Sequence, residues 1–312
     1  MIIKTNPDEF ENFIIDASNF KGNCEAVYFS ENVEEVVSIV KDANTNKTKV
    51  TISGNGTGLT GARVPQNGIV VATDKLSKIL EINSKEFYAV VEPAVLLSDF
   101  QKELKQQNLF YPPDPTETNC YIGGTVATNA SGAKTFKYGP TREYVIGLQI
   151  VLPDGEVLDL ERGKQKATGY DLSLTTQSSK NISLQIPDYT FPAVKNASGY
   201  FVKKDMDAID LFIGSEGTLG IITKIKLKLL PQPEDTISCV LFFENETTAL
   251  NFLEEARDTS YQNRKNNVND NINALALEFF DERALKFLAK DFSAIPENAQ
   301  AAIWFEQEST SD

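Results

Sequence analysis

The chain has 312 residues, 41% of them apolar, and a formal net charge of −14 at pH 7. That length and apolar content allow two domains with a sizeable core, while the charge argues against a nucleic-acid partner or an anionic membrane surface. Three cysteines (Cys24, Cys120 and Cys239) lie far apart without a CxxC pair, and histidine is absent. No disulfide framework, zinc site or cysteine-held iron–sulfur cluster is therefore expected, and no imidazole is available as a base, a metal ligand or a flavin attachment point.

No apolar stretch approaches the length of a membrane span. The start, Met1-Ile2-Ile3-Lys4, lacks the build of a signal peptide, so a cytoplasmic setting fits. Ser30 is placed to cap a helix whose Val33, Val36, Val37, Val40 and Ala43 form one apolar stripe, with Glu31, Glu34 and Glu35 near its positive end. A strand over 49–52 follows. It runs into Ser53-Gly54-Asn55-Gly56-Thr57-Gly58-Leu59-Thr60-Gly61, with four glycines, two threonines and no Lys or Arg. Glycine reaches positive φ and lets backbone approach a ligand. Successive N–H groups turned inward make a concave nest for an anion such as a diphosphate. Taken alone, the segment suits a glycine-rich surface turn equally well.

Neither standard nucleotide pattern fits. A Gly-Lys-Ser/Thr ending is missing. Gly56 to Gly61 satisfies GxGxxG, but Ala62-Arg63-Val64-Pro65-Gln66-Asn67-Gly68 reads as loop where a helix should open. A second strand at 69–73 completes a βαβ-like start with a parallel core. Residues 88–92 read as a strand stopped by Pro93. Ser98 with Gln101 suggests a capping box on a helix lined by Leu97, Phe100 and Leu104. Tyr111-Pro112-Pro113-Asp114-Pro115 breaks regular structure.

A second run of small residues, Ile122-Gly123-Gly124-Thr125-Val126-Ala127-Thr128-Asn129-Ala130-Ser131-Gly132, precedes Lys137-Tyr138-Gly139. It reads either as a tightly packed turn–helix or as backbone opened to a flat ligand. Residues 145–160 form a hairpin about Pro153-Asp154-Gly155-Glu156. Residues 163–190 read as a long polar surface excursion. A third glycine segment, Gly214-Ser215-Glu216-Gly217-Thr218-Leu219-Gly220, leads into a strand with Ile225, Leu227 and Leu229 on one face and solvated Lys224, Lys226 and Lys228 on the other. Pro231-Gln232-Pro233 marks a boundary. Beyond it the pattern is strand (236–243), helix (247–257), strand (274–279), helix (282–289) and strand (301–306), before Glu308-Ser309-Thr310-Ser311-Asp312. An α+β unit stopping on its third strand reads as unfinished, so the coding sequence is expected to continue or to have been trimmed. Three glycine segments spread from 54 to 220 suit one long cofactor, and FAD is that long.

In sequence order, GNGTGLTG, PPDPT, IGGTVATNASG, KYG, KNASGY and LFIGSEGTLGIITKIKLKLLP resemble the FAD-binding domain shared by the glycolate oxidase, D-lactate dehydrogenase and D-2-hydroxyglutarate dehydrogenase family, in the vanillyl-alcohol oxidase superfamily. The resemblance runs from about residue 19 to 231. It implies an α+β fold: a PCMH-type FAD-binding domain over 1–231, with subdomains about 1–85 and 86–231. Residues 232–312 would then open an α+β, ferredoxin-like cap domain for the substrate.

By this resemblance Gly54, Asn55, Gly56, Thr57, Gly58, Leu59 and Thr60 wrap the diphosphate, with Ser53 at their start. Pro113, Asp114 and Thr118 lie along the isoalloxazine or ribityl side. Gly123, Gly124, Thr128, Asn129, Ser131 and Gly132 contact diphosphate, ribityl and flavin, and Tyr138 and Gly139 complete the set. Gly220 and Ile221 bind the adenine end through backbone groups. Asn55 stands where the family usually has glycine, which Asn tolerates. Ser53 replaces a common arginine and so removes a cation near the phosphates. The family's histidines and substrate-binding arginine lie later in the cap, so no catalytic residue is carried over.

The implied reaction is oxidation of a D-2-hydroxy acid by hydride transfer to flavin N5, with non-covalent FAD and an electron acceptor of unnamed class. Assembly as a homodimer stays open. Two alternatives share the fold: an alkyl-glycerone-phosphate synthase-like transferase, which needs a basic pocket, and a flavin-binding electron-transfer subunit that leaves catalysis to a partner.

Overall fold

The computed structural model describes residues 1–268 and 271–309. The expected closing segment therefore lies partly outside the described residues, at 310–312. Two compact units divide the chain. One comprises residues 1–111, 115–130 and 140–230, and the other residues 112–114, 131–139 and 231–312.

The larger unit opens with strands β1 (Ile2–Lys4) and β2 (Ala26–Phe29), helix α1 (Val33–Asn46), and strands β3 (Val50–Ser53) and β4 (Ile69–Ala72). They form a sheet in the order β1-β2-β4-β3, with β4 parallel to both β2 and β3. Parallel strands are covered on both faces, which explains why β4 is buried at every position. Ala26, Ile69 and Val71 face Val36, Ile39, Val40 and Ala43 of α1, in a core that also includes Val151 and Ile221. Val27, Phe29, Val70 and Ala72 face Phe10. The apolar stripe of α1 is as expected, but its cap is not. Asn32, not Ser30, accepts from the Glu35 N–H at 2.9 Å. Ser30 is fully buried and belongs to the strand exit.

Strands β5 (Ile79–Asn83), β6 (Tyr88–Val91), a two-residue β7 (Leu109–Phe110), β8 (Val145–Val151), β9 (Val157–Glu161), β10 (Asp171–Thr175), β11 (Asn181–Gln185), β12 (Ile221–Lys228) and a two-residue β13 (Leu230–Pro231) follow, with helices α2 (Leu97–Gln106) and α3 (Ile122–Ala127) among them. A second, antiparallel sheet has the order β5-β6-β12-β8-β9. Ile225, Leu227 and Leu229 are buried as the alternation requires. Lys226 lies over the Tyr88 ring at 4.1 Å, so one lysine of the solvated face is partly covered. The capping box is not made: no side chain caps α2. Instead the Leu97 and Ser98 N–H groups donate to the carbonyls of Cys120 and Thr118. A passing strand-like segment satisfies the free helix donors, and this ties the residues before α3 to α2. Within the polar excursion β10 and β11 pair as a hairpin, because Leu172 and Leu174 find a buried face.

The smaller unit carries an antiparallel sheet in the order β14-β16-β15 (Asp235–Phe243, Ala301–Ser309 and Ala274–Asp281). Helix Glu246–Asn266 packs on it through Ala249, Phe252 and Leu253 against Ile303, Phe243 and Leu277. Asn245 caps this helix, and Asp281 caps a second one, Glu282–Leu288, through the N–H groups of Thr248 and Ala284.

Candidate functional site

Strand β3 ends at Ser53, and the glycine segment leaves the sheet there. Its neighbour β4 holds the exit: the Thr73 N–H and hydroxyl both donate to the Ser53 carbonyl at 3.1 Å. Gly56 and Gly61 take φ of +75° and +76°, which L side chains avoid. Two carbonyls of the loop are turned back into the protein. Gly56 accepts from the Ala17 N–H at 3.0 Å, and Gly54 accepts from Arg63 Nη1 at 2.6 Å. Among the described residues none accepts a hydrogen bond from the N–H groups of Asn55 through Gly61. A run of amides without acceptors, beside two carbonyls that are bound, suits an anion nest.

Sequence reasoning missed the residue that builds this form. Arg63, in the stretch read as loop, folds beneath the nest. Nε donates to Ile15 O at 3.0 Å, Nη1 to Ser53 Oγ at 3.1 Å as well as to Gly54, and Nη2 to Asn12 O. A Cβ at Gly56 would stand 2.5 Å from Arg63 Cζ. Burial lowers the Arg63 pKa, and the charges of Asp74 and Asp16 act against that shift. Arginine nonetheless stays cationic. A cation from ten positions later thus stands against Ser53.

Of the other glycine segments of this unit, the second lies against the loop, and the third packs on α3, β3 and β8. Tyr121, at the start of α3, lies 3.8 Å from where a Gly54 Cβ would be, and Asn55 Nδ2 donates to Asn119 O. Gly123 packs on Pro93, whose carbonyl accepts its N–H at 2.7 Å; a Cβ there would come within 2.5 Å of Pro93 Cβ. Gly124 has nothing within 4 Å of its Cβ position, so its open face is available to a ligand. Thr128 donates back to Gly124 O, and Asn129 Oδ1 accepts from the Arg142 N–H. The Gly214 and Glu216 N–H groups donate to Val126 O and Ala127 O. Gly217 sits on Ile52, and Gly220 packs against Ile150 and Val151. Ile221 buries its side chain and offers only backbone. Thr118 O is engaged with α2.

Pro113, Asp114, Ser131, Gly132, Tyr138 and Gly139 belong to the smaller unit. There Asp114 pairs with Lys134 at 2.8 Å, the Gly132 N–H donates to Thr135 Oγ1, and Gly139 ends the helical turn Thr135–Tyr138 at φ +78°. Lys137 and the Tyr138 hydroxyl both bond Glu308 on β16.

Asp74, just past β4, accepts from the Tyr121 hydroxyl at 3.5 Å, and its Oδ2 is buried without a partner. Burial raises its pKa, against the opposing pull of Arg63. Between the unfolded and folded values the folded chain keeps a proton that the unfolded chain has released, so stability falls as pH rises through that window. Asp74→Asn removes the penalty. We expect it to raise Tm by about 2–4 °C at pH 7, roughly 1 kcal/mol, with the gap to the unsubstituted protein closing as pH drops below the window. Melting curves from pH 4 to 8 check this.

Residues 24–161 match a family described as FAD binding domain. A D-lactate dehydrogenase from Anaerostipes hadrus is 37% identical over 226 residues, 72% of this chain and 40% of its own length. The glycolate oxidase component GlcD from Bacillus subtilis (strain 168) is 30% identical over 91% of this chain and 51% of its own. A D-2-hydroxyglutarate dehydrogenase from Stutzerimonas stutzeri (strain A1501) is 31% identical over 83% and 46%. The chain thus spans about half, or less, of the length of these relatives. Among solved structures, an alkyldihydroxyacetonephosphate synthase matches with a TM-score of 0.70 at 17% identity, covering 99% of this chain and 53% of the other; that likeness is one of fold.

Proposed function

This chain belongs to the family of FAD-binding oxidoreductases represented by those dehydrogenase and oxidase relatives, and from that premise we propose that it is the flavin-holding part of an enzyme oxidising a 2-hydroxy acid of the D-lactate or glycolate type. The observation that carries the reading is the unpaired amide run Asn55–Gly61, shaped for the diphosphate of FAD. When bound, FAD supplies a hydride acceptor for the substrate carbon. The chain's own part is to bind and orient. Amides 55–61 and the Thr57 and Thr60 hydroxyls take the phosphates, Gly124 admits the ligand closely, and Gly220 and Ile221 offer backbone to the adenine. Pro113, Asp114, Thr118, Thr128, Asn129, Ser131, Gly132, Tyr138 and Gly139 are assigned to the ribityl and flavin side.

We assign residues 1–231 to the cofactor and 232–312 to the substrate side. An electron acceptor is required to reoxidise the flavin. Cys24, Cys120 and Cys239 are free thiols, which supports a cytoplasmic setting. Burial pushes the Cys120 thiol up to about 11, so it is protonated at neutral pH and a poor nucleophile. This supports non-covalent FAD. No helix among the described residues is long and apolar enough to cross a membrane.

The purified chain is expected to be yellow and to release all its FAD into the supernatant on denaturation, and the flavin of the enzyme it is part of is expected to bleach anaerobically with D-lactate, glycolate or D-2-hydroxyglutarate. Colourless protein that takes up no added FAD refutes the cofactor reading. An enzyme containing this chain whose bound flavin is reduced by none of the three acids refutes the substrate class.

A further inference from the structure

We propose that Asp16 is a cofactor-binding residue whose Oδ2 accepts a hydrogen bond from a sugar hydroxyl beside the FAD diphosphate; the inference rests on the FAD reading above. Asp16 lies ahead of β2, in the turn that supports the nest, and is 8% exposed. The Ala17 N–H fastens this turn to Gly56 O. One carboxylate oxygen is fully used: Oδ1 accepts from the Ser18 N–H at 2.9 Å and from the Ser18 hydroxyl. The other, Oδ2, is buried and has no partner. It is the nearest atom, at 4.0 Å, to where a Gly58 Cβ would stand, so it lies beside the loop at Gly58.

A buried carboxyl oxygen without a donor is costly. Its position makes the cost greater, because a carboxylate next to a bound diphosphate is repelled. Arg63 is close enough for its charge to act on Asp16, yet its Nε, Nη1 and Nη2 donate to Ile15, Ser53, Gly54 and Asn12. The guanidinium therefore offsets the repulsion but leaves Oδ2 without a hydrogen bond. A diphosphate has only acceptors, so the donor must come from a group flanking it. FAD has hydroxyls on both flanks, on the adenosine ribose and on the ribityl chain. A carboxylate oxygen that accepts from a hydroxyl also explains why an acid stands at an anion site: it reads the sugar, while the amides read the phosphates.

The test is a flavin-fluorescence titration of the apoprotein with FAD, with FAD lacking the adenosine 2′,3′-hydroxyls, and with FAD lacking the ribityl 4′-hydroxyl. The unsubstituted protein is expected to bind one analogue roughly 10- to 100-fold more weakly than FAD, as befits a hydrogen bond to a charged group. The analogue that loses affinity identifies the hydroxyl. Asp16→Asn is expected to lose a similar factor for FAD and to stop distinguishing FAD from that analogue, while its apoprotein melts cooperatively. Should Asp16→Asn fail to fold, Asp16→Glu is judged by the same loss of discrimination. Equal binding of all three flavins by the unsubstituted protein overturns the proposal, as does a folded Asp16 variant that discriminates as before; in both cases FAD binding itself stands. Failure of the unsubstituted protein to bind FAD overturns both readings together.

Discussion

Arg63→Ala is expected to cost about 100-fold in FAD affinity, measured by flavin-fluorescence titration, and about 2–4 kcal/mol in stability. The side chain makes four hydrogen bonds, to Ile15, Ser53, Gly54 and Asn12, and its ring contact with Phe13 is 5.7 Å from centroid to Cζ. Two separate effects disappear with it. The Gly54 carbonyl loses its shorter hydrogen bond and keeps only the Ser53 hydroxyl at 3.2 Å, so the loop can rotate an acceptor toward the phosphates. The site also loses its nearest positive charge in a chain of net charge −14. Arg63→Lys separates the two effects: a lysine keeps the charge but cannot span four separated acceptors from one planar head. We expect Arg63→Lys to recover the salt dependence of binding and only a minor part of the affinity. Affinity equal to that of the unsubstituted protein in Arg63→Ala would show that the amides alone hold the diphosphate.

The glycine loop could be read from the sequence because its determinants are contiguous: a β-branched strand, then glycines, of which Gly56 and Gly61 take positive φ. The same holds for the α1 stripe and for the alternation of β12. Arg63 could not be read in that way. It sits in a stretch with the composition of a loop, and its function depends on carbonyls of Asn12 and Ile15 about fifty positions earlier. Asp16 was equally silent, since an unpaired oxygen is a property of packing and not of residue type. The α2 cap failed for a related reason. Ser98 and Gln101 have the right spacing, but the carbonyls of Thr118 and Cys120 arrive from outside the helix and take the same donors. The β10–β11 hairpin was hidden by its serines and threonines, which read as surface although Leu172 and Leu174 alternate correctly. In each case a tertiary partner outweighed a local signal.

Asp210 carries the second large effect, and it acts on the third glycine segment. This aspartate is buried between two arginines. Arg142 Nη1 reaches its Oδ1 at 3.2 Å, and Arg162 reaches Oδ1 at 3.0 Å and Oδ2 at 3.2 Å. Arg142 also donates to the carbonyls of Asp210 and Ile213 and stacks over Phe201 at 4.3 Å. Burial lowers the Arg142 pKa, and Asp210 is the main influence opposing that shift. Removing the carboxylate leaves two guanidinium groups, one of them deeply buried, facing each other without a counter-charge. A broken buried pair of this kind costs about 3–5 kcal/mol. Asp210→Ala should therefore lower Tm by roughly 10 °C, read by differential scanning calorimetry. The loss should be felt at the cofactor site as well. Arg142 fixes Asn129 through its N–H and Ile213 through its side chain, and Gly214 follows directly, donating to Val126 at the end of α3. Freed from this anchor, the turn 214–220 loses its register on α3, and FAD affinity is expected to fall about tenfold even at temperatures where the variant is fully folded. Asp210→Glu keeps the charge on a longer arm and should regain most of the Tm. If Asp210→Ala melted like the unsubstituted protein, the two arginines would be held by their carbonyl partners alone, and the anchor would reside in the backbone.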